Sequence, residues 1–174
     1  MKKILTVVML TALMLALATS ALAATGLGSV TSVSVTAATA EKAGSVSAYT
    51  TMCAVTLDDE GKIVSCLFDV AQTKVAFNAA GEITADMTAV IKSKQEKGDE
   101  YNMKPASPIG KEWFEQANAL AAFCVGKTLE EAVAGIAVDE KGYPTGADVV
   151  TSCTMHATDF VKALEKAYAM ATAK

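Results

Sequence analysis

The sequence has no arginine, a single histidine and a single tryptophan among its 174 residues. All fifteen basic residues are lysines, and the net charge is −4. Without arginine there is no bidentate fork for phosphates, and an acidic chain of pI about 5.0 lacks the dense positive charge that nucleic acids require. A nucleic-acid role is excluded on those grounds. Any Ser-His-Asp centre would have to use His156, the one imidazole present. The composition, 52% hydrophobic and 20% charged, also excludes disorder, collagen and coiled coil. What remains is one domain, or one domain and a tail, long enough to bury a core.

The first residues read as a leader. Lys2 and Lys3 precede an apolar stretch from residue 4 to about 17, and Ala21-Leu22-Ala23 places small residues at the spacing a signal peptidase reads. Residues 1–23 are therefore expected to be a secretory signal peptide cleaved near Ala23. The competing reading, an uncleaved anchor, meets the objection that the run is short for a span. The protein is thus expected to be secreted or extracytoplasmic, at the cell surface or in the periplasm. Losing Lys2 and Lys3 makes the mature chain more acidic by two charges.

Secretion changes how Cys53, Cys66, Cys124 and Cys153 read, because an even count outside the cytoplasm suggests disulfides. Residues 49–57 and 62–70 read as two strands joined by Asp58-Asp59-Glu60-Gly61. If Leu57 faces Lys62, then Cys53 faces Cys66, and Cys53, Val55 and Leu57 share a face with Val64, Cys66 and Phe68. A type I turn with Gly61 in a left-handed bulge shifts the pairing by one residue and separates the two cysteines. A third reading makes all four cysteines small buried hydrophobes.

Residues 24–44, rich in Ala, Ser, Thr, Val and Gly, read as a flexible linker, with an exposed or edge strand at 30–35. Residues 45–174 form the domain. After the hairpin, residues 74–78 read as a third short strand ending at Ala79-Ala80-Gly81-Glu82. Residues 84–94 read as a short helix or strand, and 93–104 as a surface loop or helix end. Then the pattern turns helical. Ser107 is placed to cap and Pro108 to start a helix, with Trp113, Ala117, Leu120, Ala121 and Cys124 on its buried stripe and Gly126 beyond its end. Thr128-Leu129-Glu130-Glu131 is a capping box. Residues 135–138 read as a short strand, with a turn around 139–142. Thr158 is expected to cap a last helix that buries Phe160, Leu164, Ala167 and Met170 or Ala171. The fold class is α+β, with helices packed on a mostly antiparallel sheet.

One segment carries chemistry. Asp148-Val149-Val150-Thr151-Ser152-Cys153-Thr154 lies in a loop leading towards a helix N-terminus, a place that favours bound anions. It resembles the flavinylation motif of the FMN-binding domain family: Asp, two residues, Ser or Thr, Gly, Ala, then Ser or Thr. Asp148 matches the opening acid, Thr151 the earlier hydroxyl and Thr154 the final one. Ser152-Cys153 stand where the family has Gly-Ala. The Gly61-Lys62-Ile63-Val64-Ser65 turn and the apolar helix from Phe160 to Ala167 fit the same pattern. The resemblance covers about 45–67 and 147–171, and the middle, with Pro105 to Trp113, fits the family poorly and reads as an insertion or a subfamily feature.

The resemblance implies FMN esterified through its phosphate to Thr154, a flavin transferase that attaches it, and a membrane redox partner at the membrane surface. It implies an electron carrier rather than a self-sufficient enzyme, with no catalytic residue of its own. Tyr101, Trp113, Phe114 or Tyr143 would then pack on the isoalloxazine. The alternative is a non-enzymatic secreted binding or structural domain that has lost the flavin. Cys153 and His156 are two metal ligands where a structural zinc site needs four. A nucleophile–base pair of the same residues lacks an orienting third group. Asp58, Asp59 and Glu60 lack the alternation of a calcium loop. No metal site is expected.

Overall fold

The computed structural model describes residues 23–173, so the leader expected at 1–23 lies outside the described residues except for Ala23. Three long strands, β1 (Ala24–Thr36), β2 (Gly44–Leu57) and β3 (Ile63–Phe77), form an antiparallel meander in chain order. Four helices follow: α1 (Lys94–Lys97), α2 (Trp113–Cys124), α3 (Leu129–Ile136) and α4 (Thr158–Thr172). Two 3-10 turns, Gly98–Tyr101 and Lys104–Ala106, lie between α1 and α2. The architecture is α+β, a three-stranded antiparallel sheet packed against helices. Among the described residues, no helix is long and apolar enough to cross a membrane.

The helices cover one face of the sheet. Helix α4 lies across β1 and β2, and α2 lies along β3. Cys53, Val55, Leu57, Ile63, Phe68 and Val70 point inward and are buried with Leu120, Ile136, Phe160 and Leu164. Phe68 meets Phe160 edge to face at 5.2 Å, a favoured arrangement of aromatic quadrupoles.

The supposed linker is the first strand. Residues 24–36 pair with β2 along their whole length, so the stretch is an edge strand of thirteen residues. Its inward face carries Ala24, Gly26, Gly28 and Val30, and the two fully covered positions are glycine because they touch α4. A Cβ at Gly26 would lie 1.9 Å from the Ala167 carbonyl oxygen, and one at Gly28 would lie 2.1 Å from that of Ala163. Glycine on the strand and alanine on the helix together let the two backbones touch.

The hairpin is as expected, but its register moves by two residues rather than none or one. Gly61 has φ +77°, and the 58–62 turn closes with the Asp58 N–H on the Lys62 carbonyl at 2.9 Å. That turn sets Leu57 opposite Ile63. A bulge then shifts the ladder again, setting Thr56 opposite Ser65 and Cys53 opposite Phe68. Two shifts restore the original face, so Cys53 and Cys66 both point inward as diagonal neighbours. Ile63 takes the buried place expected of Val64, which is half exposed.

Several other elements differ from the expectation. Residues 74–77 are not a separate strand but the end of β3, and Asn78 begins the turn that follows. Residues 84–92 are irregular, because the Asp86 carboxylate accepts from both the N–H and hydroxyl of Thr88 and makes a local turn. Helix α2 starts at Trp113, not Pro108. Gly110 breaks the helical path at φ +61°, and the Glu112 N–H is capped instead by the Glu115 carboxylate at 2.7 Å. Gly135 and Ile136 end α3 rather than forming a strand, and Val138 makes only an isolated bridge with Pro144. Thr158 is the first residue of α4, not its cap, and Met170 is exposed while Ala171 is partly buried. The Thr128–Glu131 capping box, Gly126 in its left-handed conformation and the buried stripe of α2 are as expected.

Candidate functional site

The loop from Gly146 to Ala157 connects α3 to α4 and begins under close constraint. A Cβ at Gly146 would lie 1.7 Å from the Gly135 carbonyl oxygen, so the loop is pressed against the end of α3. Two turns follow. The N–H groups of Val149 and Val150 donate to the Gly146 carbonyl at 2.9 and 3.0 Å. Those of Ser152 and Cys153 donate to the Val149 carbonyl at 2.9 and 2.8 Å. Val149 and Cys153 are fully buried and anchor the loop, while Asp148 and Thr151 are exposed. The Ser152 hydroxyl turns back onto the Val149 carbonyl at 3.1 Å. Neither Ser152 nor Cys153 has a positive φ. The backbone at that point therefore makes no demand for the glycine of the family motif.

Thr154 is held by a residue that the sequence reading passed over. Gln116, fully buried on α2, accepts from the Thr154 N–H at 2.9 Å and from its hydroxyl at 3.3 Å through the same amide oxygen. Its Nε2 donates to Ser107 Oγ at 3.0 Å and to the Lys111 carbonyl at 3.2 Å. Those two acceptors fix the amide with its oxygen towards Thr154. One signal for this existed: Gln116 stands within a helix whose neighbouring core positions, Ala117 and Leu120, are apolar. Ser107, read as a helix cap, serves this amide instead.

Immediately after Thr154 the chain lines a cavity of about 420 Å³. Met155 and His156 come from the loop, Trp113 from the start of α2, Phe160 from α4, Tyr101 from the 3-10 turn and Tyr143 from the turn before the loop. These rings share the walls with Val70, Met103 and the polar side chains of Ser32, Thr51 and Asp159, the last a carboxylate in the first turn of α4. Trp113 lies 6.1 Å from Phe160 and 6.4 Å from Tyr101, and Tyr143 lies 5.8 Å from His156. Lys94 supplies a cation, with Nζ 4.7 Å from the centre of the Tyr101 ring and 5.4 Å from that of Trp113. Of the four aromatic candidates, Tyr101, Trp113 and Tyr143 line this cavity, whereas Phe114 packs against the core. A larger hollow of about 690 Å³ adjoins it beneath Val90, Ile91 and Lys92 and shares Tyr101 and Met103, but it is more open and has one aromatic wall.

The remaining chemistry-bearing residues are not brought together. Cys153 is buried and its thiol is pushed above the usual range by that burial, while His156 is exposed over Gly142. A Cβ at Gly142 would lie 2.3 Å from His156 Nε2. Among the described residues, no three His, Cys, Asp or Glu side chains converge to hold a metal ion.

No family model matches the chain, and no solved structure matches it. The chain is similar to chlorophenol reductase of Desulfitobacterium hafniense, 33% identical over 114 residues. That alignment covers 53% of this chain and 32% of the relative, so the chain spans about a third of the relative's length.

Proposed function

We propose that this chain is an extracytoplasmic electron-transfer domain that carries FMN as a phosphoester on Thr154. The observation that carries the reading is the cavity lined by Met155 and His156, the two residues that follow Thr154, together with Tyr101, Trp113 and Tyr143. Concave sites of a few hundred Å³ with apolar and aromatic walls are where planar cofactors bind. The reductase name of the similar protein from Desulfitobacterium is compatible with redox work.

The residues fit the group in three ways. Thr154 is partly exposed, and its hydroxyl is oriented by the fixed Gln116 amide. The N-terminus of α4 begins four residues later and favours a nearby anion, which suits a chain without arginine. Lys94 places a positive charge on the cavity wall. The bound flavin would supply the electron chemistry, and the protein supplies attachment, orientation and electrostatics.

Attachment requires an activated donor, because FMN alone offers no good leaving group. A flavin dinucleotide meets the need. The Thr154 oxygen bonds to the flavin-side phosphorus, the diphosphate bond breaks, the nucleoside monophosphate leaves, and the hydroxyl proton is released. The donated bond to Gln116 is lost in that step, while the Thr154 N–H keeps its bond to the same amide. The partners are accordingly a flavin transferase and a membrane redox protein. Coexpression with an active flavin transferase is expected to add about 438 Da to the intact mass, and Thr154→Ala to abolish the gain. Covalent flavin that persists in Thr154→Ala overturns the site. An unmodified wild-type chain beside an active transferase overturns the flavin reading and leaves a flavin-free binding domain.

A further inference from the structure

Three of the four cysteines converge on the inner face of the sheet. Cys53 lies on β2, Cys66 on β3 and Cys124 in the last turn of α2. The sulfurs of Cys53 and Cys66 are 3.9 Å apart, whereas the Cys124 thiol donates to the Leu120 carbonyl at 3.3 Å. Cys53 and Cys124 are fully buried, and Cys66 is partly exposed. Cys66 is thus the one of the three that solvent reaches.

We propose that Cys66 and Cys53 form a disulfide when the chain folds under oxidising conditions, with Cys124 left as a thiol. The geometric support is the 3.9 Å between the sulfurs of two residues on one face of adjacent strands. Diagonal neighbours of an antiparallel pair ordinarily stand about 7–8 Å apart, so closing to the bonded distance of about 2.05 Å draws the two strands together as well as turning the side chains. With glutathione disulfide as oxidant, the two thiols give up two electrons and two protons. One S–S bond forms in the protein, the bond in glutathione disulfide breaks, and two glutathione thiols result.

The environment fixes when the bond forms. The Cys124 contact favours the ionised form of Cys66, but its hydrogen bond with Cys53 and its burial outweigh that and hold the thiol well above the usual range. Cys124 is held high by the neighbouring Cys66 thiol and by burial. Since the thiolate is the attacking species, exchange in the folded protein is slow, and the bond forms while the hairpin assembles. It then locks the bulged register, because a slip of one residue would put the two cysteines on opposite faces.

The test uses the full chain, refolded from denaturant in mixed reduced and oxidised glutathione. Free thiols are alkylated under denaturing conditions, and tryptic peptides are mapped by mass spectrometry. Cleavage after Lys62 separates the two cysteines, so a bond between them appears as a joined pair of peptides. A loss of about two mass units, a Cys53–Cys66 pair, and alkylated Cys124 and Cys153 are expected. Cys53→Ala is expected to leave its three remaining cysteines alkylated, and Cys124→Ala to keep Cys53–Cys66. Four alkylated thiols in the wild type overturn the proposal. So does a wild-type bond without Cys66, or one joining Cys66 to Cys124. If Cys53→Ala fails to regain its circular dichroism spectrum, the decision rests on Cys124→Ala, where loss of the bond overturns the site.

Discussion

Gln116→Leu tests whether a buried amide holds the loop that carries Thr154. The substitution keeps the volume and the helix propensity but deletes four hydrogen bonds: two accepted from Thr154, one donated to Ser107 and one donated to Lys111. Each buried partner left unpaired costs about 1–3 kcal/mol. Ser107, Lys111 and Thr154 are only partly buried, so water recovers some of that loss, and Leu gains apolar contact in the core. The net destabilisation is expected at about 2–3 kcal/mol, a fall of roughly 5–10 °C in Tm for a domain of this size. Urea unfolding followed by circular dichroism measures it. Thr154→Ala removes only the 3.3 Å hydroxyl contact and is expected to cost under about 1 kcal/mol, since the N–H bond to Gln116 survives. A Gln116→Leu loss below about 0.5 kcal/mol, or one no larger than that of Thr154→Ala, refutes the claim that Gln116 organises the loop.

Other outcomes follow from the same structure. Gly28→Ala puts a Cβ 2.1 Å from the Ala163 carbonyl oxygen and forces α4 off β1, at about 3 kcal/mol by urea unfolding; a change under about 0.5 kcal/mol would mean that the two backbones do not touch. With flavin on Thr154, Lys94→Gln is expected to lower its two-electron midpoint potential by roughly 30 mV, since reduction adds negative charge near this cation. An unchanged potential would remove Lys94 from the electrostatics of the cavity. In reductant, the folded state keeps protons on Cys66, Cys124 and Cys153 at a pH where the unfolded chain ionises them. Stability is therefore fully present below about pH 8.5 and falls as the pH rises beyond it. Stability that stays level from pH 8 to 10.5 would contradict the raised thiols.

How much of the fold could be read from the chain depended on whether the signal was local. The Thr128 capping box, Gly126 and the apolar stripe of α2 concern residues within a turn or two of each other, and all are where the pattern put them. The first strand was different. Gly26 and Gly28 read as linker because small residues carry no hydrophobic period. Their smallness is a tertiary demand imposed by Ala163 and Ala167, more than 130 residues away. The register of the hairpin failed for a related reason. Alternation marks which residues share a face, but a shift of two preserves alternation, so the bulge opposite Thr56 and Leu57 left no trace in the pattern.

The candidate site divides along the same line. Its hydroxyl was legible because Thr154 sits in a contiguous motif, and a covalent attachment needs one nucleophilic atom in an accessible loop. Its cavity was not, because the rings of Tyr101, Trp113, Tyr143 and Phe160 come from four separate segments, and an aromatic residue in a sequence does not say which face it presents. Gln116 falls between these cases. A glutamine amid apolar core positions is conspicuous, yet its role depends on an amide orientation that only Ser107 and Lys111 fix. Those partners lie in the stretch where Gly110 delays the helix. The delayed start of α2 thus matters for the contact with Thr154: a helix running from Pro108 would draw the Lys111 carbonyl into its own backbone bonds and leave Gln116 free to turn away from Thr154. A variant that restores the helical path, Gly110→Ala, replaces a residue at φ +61° and is expected to weaken the same contact. Flavin loading of Gly110→Ala should therefore fall together with that of Gln116→Leu. Full loading of both would show that Thr154 is positioned by its loop alone.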